Sequence, residues 1–321
     1  MTTPDSTAKR SRCPIAAVFP GQGSQGPSMG VPWRRHPAWS LVEEAEDSLH
    51  RELSPMLLDP DTPPDGVVEN HLAVVLTSMM AWSALRPCVT PAVVAGHSLG
   101  LLSALHAADV LSAADAIRVT AFRATVTARE ASAIPGRMAA VLAPAETAEA
   151  ACADHRCWMV NDNTPQQTVI SGTPEGLESA MSTALDLGAR DVIPLEIDGA
   201  FHSPLMRGAV DDFADLLGTV VFAPQRLAVV HNAVSYPAGT RAPWSSLVAN
   251  DLVRPVRWRQ NQFRLADHDI SALVEVGYGR TLTGLAKRTL SGIRLLNMGC
   301  PEDLAEVTHL VDSGELTRAG R

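Results

Sequence analysis

The sequence predicts an α/β fold: a mostly parallel sheet packed between helices, interrupted by a smaller unit. Three observations carry that reading. Strand and helix patterns alternate along most of the chain, and parallel strands need such helical crossovers. The apolar run Val93-Val94-Ala95 ends in Gly96-His97-Ser98-Leu99-Gly100 and passes straight into an Ala/Leu-rich stretch, a strand–turn–helix junction with one serine at its apex. From Met138 to Ile197 the patterns run strand, helix, strand, strand, helix, strand, which is a ferredoxin-like order.

Taken from the start, residues 1–13 are polar and read as a flexible N-terminus. Ile15–Phe19 is a strand, followed by the glycine-rich loop Pro20-Gly21-Gln22-Gly23-Ser24-Gln25-Gly26. That loop lacks the Lys-Ser/Thr ending of a Walker loop and the spacing of a dinucleotide fingerprint, so it reads as a tight turn presenting backbone amides. Helices are expected over 37–53 and 69–86, a strand over 91–95, and helices over 98–108 and 112–131. Composition shifts at Ala133–Gly136. The smaller unit then comprises Met138–Leu142, Pro144–Ala153, Cys157–Asn161, Gln167–Gly172, Pro174–Leu187 and Asp191–Leu195. Phe201-His202-Ser203-Pro204-Leu205-Met206 leads into another helix, and Leu227–Val230 and Ile270–Val276 supply further strands of the main sheet. The expected division is a large subdomain over 14–133 and 198–300, a small one over 134–197, and a C-terminal helix and tail over 301–321.

Composition narrows the function. With 46% hydrophobic and 19% charged residues in 321, the chain folds around a core. A net charge of -9 and no strongly basic block argue against nucleic acid as a partner. No secretory h-region and no apolar run near the ~20 residues of a membrane span occur, so a cytoplasmic protein with no membrane partner is expected. The five cysteines (13, 88, 152, 157, 300) are irregularly spaced and read as mostly buried, reduced thiols; Cys152, His155 and Cys157 do not have zinc-site spacing.

A serine at such an apex is a nucleophile elbow, and the free amide of Leu99 at the following helix start can stabilise an oxyanion. The serine needs a base, and ten histidines are present. His97 adjoins Ser98 and should point away from it, while His106, His155 and His268 lie in helical or surface contexts. His202 stands in a fixed loop before Pro204, a residue suited to a helix first turn, and is one candidate. Arg123, on the second helix after the elbow, reads on its own as a helix-surface ion pair.

Together, Phe19-Pro20-Gly21-Gln22-Gly23-Ser24-Gln25, Gly96-His97-Ser98-Leu99-Gly100, Arg123, Gly199-Ala200-Phe201-His202-Ser203-Pro204-Leu205-Met206, Pro255-Val256-Arg257-Trp258 and Glu275-Val276-Gly277 occur in that order. In this the chain resembles malonyl-CoA:acyl carrier protein transacylases and polyketide synthase acyltransferase domains, from about residue 15 to 300. The resemblance implies an α/β-hydrolase-like large subdomain with an inserted ferredoxin-like one. It implies Ser98 as nucleophile, His202 as general base, the Gln22 and Leu99 amides as oxyanion hole, and Arg123 as the clamp on a malonyl carboxylate. His97 and Phe201 would join Arg123 in binding substrate. An aromatic residue before the histidine goes with malonyl, since a bulky ring crowds an α-methyl branch. The partners implied are malonyl-CoA, or a related acyl-CoA, and an acyl carrier protein with its phosphopantetheine arm. Coenzyme A thioester enters as substrate, and no metal or other cofactor is implied. An acidic carrier needs a local basic face, for which Arg34, Arg35, Arg137, Arg257, Arg259, Arg280, Lys287 and Arg288 are candidates.

The chain departs from the family pattern at four places. Leu101-Leu102 follows the elbow where an acidic residue is usual, His71-Leu72 replaces a Gln-Pro pair, and Tyr278 replaces a proline. Asp251 stands where a glutamine carbonyl orients the catalytic histidine; either its backbone carbonyl does the same, or its carboxylate holds His202 in a fuller triad. These changes keep open a different acyl group, carrier-to-carrier transfer, or an editing hydrolase acting on carrier-protein thioesters.

Overall fold

The computed structural model describes residues 14–153 and 155–313. The expected flexible segment 1–13 and the chain beyond 313 lie outside the described residues. The first part of the chain forms β1 (Ile15–Phe19), α1 (Ser40–Leu49), α2 (Ser54–Leu58), α3 (Gly66–Leu85), β2 (Val93–Gly96), α4 (Gly100–Ala107) and α5 (Ala113–Ala133). Next come β3 (Arg137–Val141), α6 (Ala145–Cys152), β4 (Cys157–Thr164), β5 (Gln167–Gly172), α7 (Pro174–Asp186) and β6 (Val192–Pro194). The chain then returns through a 3-10 turn (Pro204–Ala209) to α8 (Val210–Gly218), β7 (Ala228–His231), β8 (Val234–Tyr236) and α9 (Trp244–Asn250). A second 3-10 turn (Asp251–Val253) precedes α10 (Trp258–Ala266), β9 (Ala272–Val276), α11 (Thr281–Thr289), β10 (Arg294–Met298) and α12 (Leu304–Ser313).

The main sheet has the order β10-β9-β1-β2-β7-β8. Its strands are parallel except β8, which turns back on β7. β1 lies at the centre, and all five of its residues are buried. Alternate side chains serve opposite faces: Ile15, Ala17 and Phe19 join the core under α3, α4 and α5, while Ala16 and Val18 join a second core with Trp258 and Leu265. α3 is buried along most of its length between α4, α5 and the sheet, which accounts for its nearly uninterrupted apolar sequence.

The smaller sheet is antiparallel with the order β4-β5-β3-β6, the ferredoxin-like arrangement. Helices α6 and α7 cover one face through Ala148, Ala151, Leu177, Ala180 and Ala184. The other face offers Met138, Val160 and Val169, which pack with Phe201 and Met206 of the returning chain. The inserted unit thus gives one apolar face to the main body. Its helix α7 starts on Thr173, whose hydroxyl accepts from Gly176 N, with Pro174 in the first turn.

Several expected elements differ in detail. The helix expected over 37–53 is a 3-10 turn (Pro37–Trp39) followed by α1, which ends at Leu49 on the left-handed His50, and α2 begins only at Ser54. The helix after the elbow starts at Gly100, not 98, because Ser98 takes a left-handed backbone, φ 52°. Strands β8 and β10 have no counterpart in the sequence reading: β8 is three residues long, and β10, at the sheet edge, buries only Leu296 and Met298. Cys152 and Cys157 are buried with sulfurs 3.6 Å apart. Among the described residues no helix is long and apolar enough to cross a membrane.

One buried charge anchors the site's rim. Glu275, fully buried on β9, accepts from the amides of Leu282 (3.0 Å) and Thr283 (2.7 Å) at the start of α11, and from Asn297 Nδ2. It is a cap supplied from a neighbouring strand, and it places an anion at the positive end of the helix. Glu275→Ala orphans both amides and is expected to lower unfolding free energy by about 1–3 kcal/mol in urea titration, with Glu275→Gln losing less because it keeps an acceptor.

Candidate active site

The elbow is built by absence of side chains. A Cβ on Gly96 would lie 2.0 Å from the Gly100 carbonyl carbon, and one on Gly100 would lie 2.1 Å from Phe19 O. The turn therefore closes only with glycine at both places, and Ser98 is held in its strained left-handed conformation above the end of β2. The Ser98 hydroxyl donates to His202 Nε2 at 2.6 Å. His202, also left-handed at φ 61°, comes from the segment that re-enters the large subdomain. Its Nδ1–H donates to two backbone carbonyls, Asp251 O at 2.8 Å and Arg254 O at 3.1 Å. That fixes the tautomer in which Nε2 is free to take the serine proton.

The Asp251 carboxylate does not reach His202. It accepts from His231 Nε2 at 2.8 and 3.0 Å and from Asn232 Nδ2 at 3.3 Å. The fuller-triad alternative is corrected here: Asp251 opens a 3-10 turn whose carbonyl faces the imidazole while its side chain faces the end of β7. Burial, with a further push from Arg123, holds the His202 pKa down at about 4, against the opposing pull of Asp251. The imidazole is therefore neutral near neutral pH, as a base must be.

Arg123 does not make the helix-surface ion pair considered for it. It is buried on α5, with Nη2 3.4 Å from Ser98 Oγ and Nη1 3.4 Å from His71 Nδ1. Among the described residues it has no carboxylate partner within ion-pair distance. Burial lowers its pKa to about 10, with Asp251 opposing, so it stays charged. His71 accepts from Arg123 on Nδ1, which leaves Nε2–H to donate to Gln22 Oε1 at 3.2 Å. Burial and the Arg123 charge hold His71 well below the usual histidine range.

These groups line one cavity of about 250 Å³. Gln22, His71, His97, Ser98, Arg123 and His202 form its polar wall; Met138, Ala140, Val169, Leu195, Ile197 and Phe201 form its apolar wall. The apolar wall belongs largely to the second face of the small sheet, so the insertion closes the pocket. His97 makes no bond to Ser98; its Nε2–H donates to Asn163 Oδ1 at 2.9 Å, and its ring stands edge-on to Trp258. The backbone amides of Gln22 and Leu99 have no protein acceptor among the described residues, and Leu99 stands at the N-terminus of α4. His71, Asn161, Asn163 and His231 were not assigned from sequence. Only His71 carried a signal, as a lone imidazole in a 20-residue apolar helix at a position where the family pattern has Gln.

A family model described as acyl transferase domain matches residues 17–305. The malonyl CoA-acyl carrier protein transacylase of Bacillus subtilis (strain 168) is 31% identical over 300 residues, covering 90% of this chain and 95% of that protein. The protein of the same description from Synechocystis is 33% identical over 304 residues, covering 90% and 98%. An acyl-carrier-protein S-malonyltransferase from Burkholderia pseudomallei superposes with a TM-score of 0.87 at 29% identity, over 92% of this chain and all of that one. A malonyl-transacylase solved in complex with its type II PKS acyl-carrier protein gives 0.86 at 27%, over 92% and 99%.

The imidazole's position predicts an unusual pH profile. Labelling of Ser98 by a fluorophosphonate should keep its rate down to an acid limb at about 4, far below the free histidine value of about 6.5. In Arg123→Leu, which removes the facing cation, the limb should move to higher pH.

Proposed function

Because the chain belongs to the acyl transferase domain family, we propose that it moves a malonyl group from coenzyme A to the phosphopantetheine thiol of an acyl carrier protein. The observation that carries this reading is the buried Arg123 guanidinium, paired with no carboxylate among the described residues, 3.4 Å from the Ser98 hydroxyl. A buried cation without a counter-ion is costly, and a substrate carboxylate supplies the missing charge. The planar fork would hold that carboxylate while the thioester carbonyl lies over Ser98.

Ser98 Oγ attacks the thioester carbon as His202 Nε2 takes its proton. The resulting oxyanion points to the amides of Gln22 and Leu99 at the α4 N-terminus. Collapse breaks the carbon–sulfur bond, and the coenzyme A sulfur leaves with the proton from His202. The carrier thiol then gives a proton to His202 and attacks the ester, and Ser98 recovers the proton as it leaves. The two carbonyls on Nδ1 favour the imidazolium formed at each half-step. Phe201 on the apolar wall crowds an α-methyl branch, a discrimination worth about 1–3 kcal/mol. Acting on coenzyme A and carrier thioesters of fatty acid or polyketide synthesis, the protein would work in the cytoplasm.

The carrier would dock at α11. Thr281, Leu282 and Leu285 of this helix line the cavity. Arg280, Lys287 and Arg288 beside them are exposed and have no ion-pair partner among the described residues. An acidic carrier would meet these cations despite the overall charge of -9.

Arg123→Ala is expected to cost about 2 kcal/mol or more in kcat/KM for malonyl-CoA, ~30-fold or greater, while acetyl-CoA loses far less. Equal losses for both thioesters would remove the clamp from the account. Lys287→Glu with Arg288→Glu should raise KM for the carrier protein and weaken its salt dependence, with malonyl-CoA kinetics unchanged in the first half-reaction.

A further inference from the structure

We propose that His231 is a positioning residue for this reaction: by holding the Asp251 carboxylate it fixes the backbone carbonyl that orients His202. The proposal rests on the reading of Ser98 and His202 as nucleophile and base.

Asp251 has two separate tasks in the structure. Its carbonyl oxygen lies 2.8 Å from His202 Nδ1, and its carboxylate oxygens lie 2.8 and 3.0 Å from His231 Nε2. The carbonyl belongs to a three-residue 3-10 turn between α9 and α10. Its backbone ties lie at the two ends: the Asp251 N–H bonds Leu247 O and Ala249 O at the end of α9, and Val256, beyond the turn, bridges to β4; no sheet ladder runs through the Asp251 carbonyl itself. The second acceptor on His202, Arg254 O, comes from the end of the same turn, so one tilt of the turn would misalign both bonds. A side-chain anchor is what such a segment needs, and Asp251 is the anchored residue.

The anchor is itself fixed by the sheet that carries the nucleophile. His231 ends β7, and β7 pairs in parallel with β2, Ala95 opposite Val230. The strand that delivers Ser98 and the strand that delivers His231 therefore finish side by side. His231 is buried, and Trp244 meets its ring edge-on, centroids 6.2 Å apart. Asn232, the next residue, adds a second tie. Its Nδ2 donates to Asp251 Oδ1, and its Oδ1 accepts from Arg257 N just beyond the turn. His231 does not line the cavity and touches neither Ser98 nor His202, so its influence passes through Asp251. The chain of contacts runs Ser98, His202, Asp251 backbone, Asp251 carboxylate, His231, and returns to Ser98 through β7 and β2.

The test compares His231→Ala, His231→Gln and His231→Asn in the full chain. A Gln amide can place a donor where Nε2 stands; an Asn amide places one only near Nδ1. Ser98 activation is read as the rate of fluorophosphonate labelling, which does not depend on the acyl group. Acylation by malonyl-CoA is read in a single turnover, and malonyl-CoA Kd is measured in a Ser98→Ala background. His231→Ala should slow labelling and acylation about tenfold or more, with Kd within about twofold. His231→Gln should recover to within about threefold of the native rate, and His231→Asn should stay slow. Native labelling in His231→Ala, equal rates for the Gln and Asn variants, or a Kd loss matching the rate loss would each overturn the proposal. Should His231→Ala not fold, the Gln/Asn contrast decides. A native chain that labels but takes no malonyl group refutes the acyl assignment alone, and the labelling rates still decide the role of His231.

Discussion

The site depends on one close backbone contact, where β1, β2 and the start of α4 meet with no side chain between them. Gly96 and Gly100 have no room for a Cβ against each other or against the Phe19 carbonyl, and Gly21 has none against the His97 carbonyl. That contact brings three things into register: the left-handed serine, the first turn of α4, and the loop carrying Gln22. An added methyl at Gly96 or Gly100 would meet backbone, which cannot rotate away, so Ser98 and the backbone amides of Gln22 and Leu99 would move together.

Around that backbone frame the electrostatics are set by burial. His202, His71 and His97 are all pushed toward the neutral form by loss of water, and Arg123 stays cationic. A neutral base beside a fixed, unpaired cation is an arrangement suited to an anionic acyl group and a proton-accepting imidazole at once. His71 links two parts of the site, since one nitrogen meets the Arg123 guanidinium and the other the Gln22 side chain of the glycine-rich loop. The small subdomain supplies most of the apolar wall and Asn163, so acyl fit and His97 orientation both depend on how the insertion packs.

What the sequence disclosed follows from how local each signal is. The elbow is legible because its requirement for Gly96, Ser98 and Gly100 is contained in five residues. The small subdomain is legible because its strand, helix, strand, strand, helix and strand runs follow one another within the bounded stretch from Met138 to Ile197. His202 and Arg123 gained their roles only from the ordered motifs, since Ser98 lies 104 and 25 residues from them in the chain. Whether Asp251 offers a carbonyl or a carboxylate depends on the direction of one turn, which no spacing encodes. His231 and Asn163 take their meaning from partners on other strands, and β8 and β10 are too short or too exposed to show a period.

The proposed transfer turns on whether Ser98 takes an acyl group chosen by its carboxylate. The most direct measurement is the intact mass of the protein after separate mixing with malonyl-CoA and acetyl-CoA. A malonyl adduct that disappears in Ser98→Ala is expected, with little or no acetyl adduct. An acetyl adduct of equal yield, or malonyl-CoA hydrolysed with no adduct and no transfer to a carrier thiol, would contradict it.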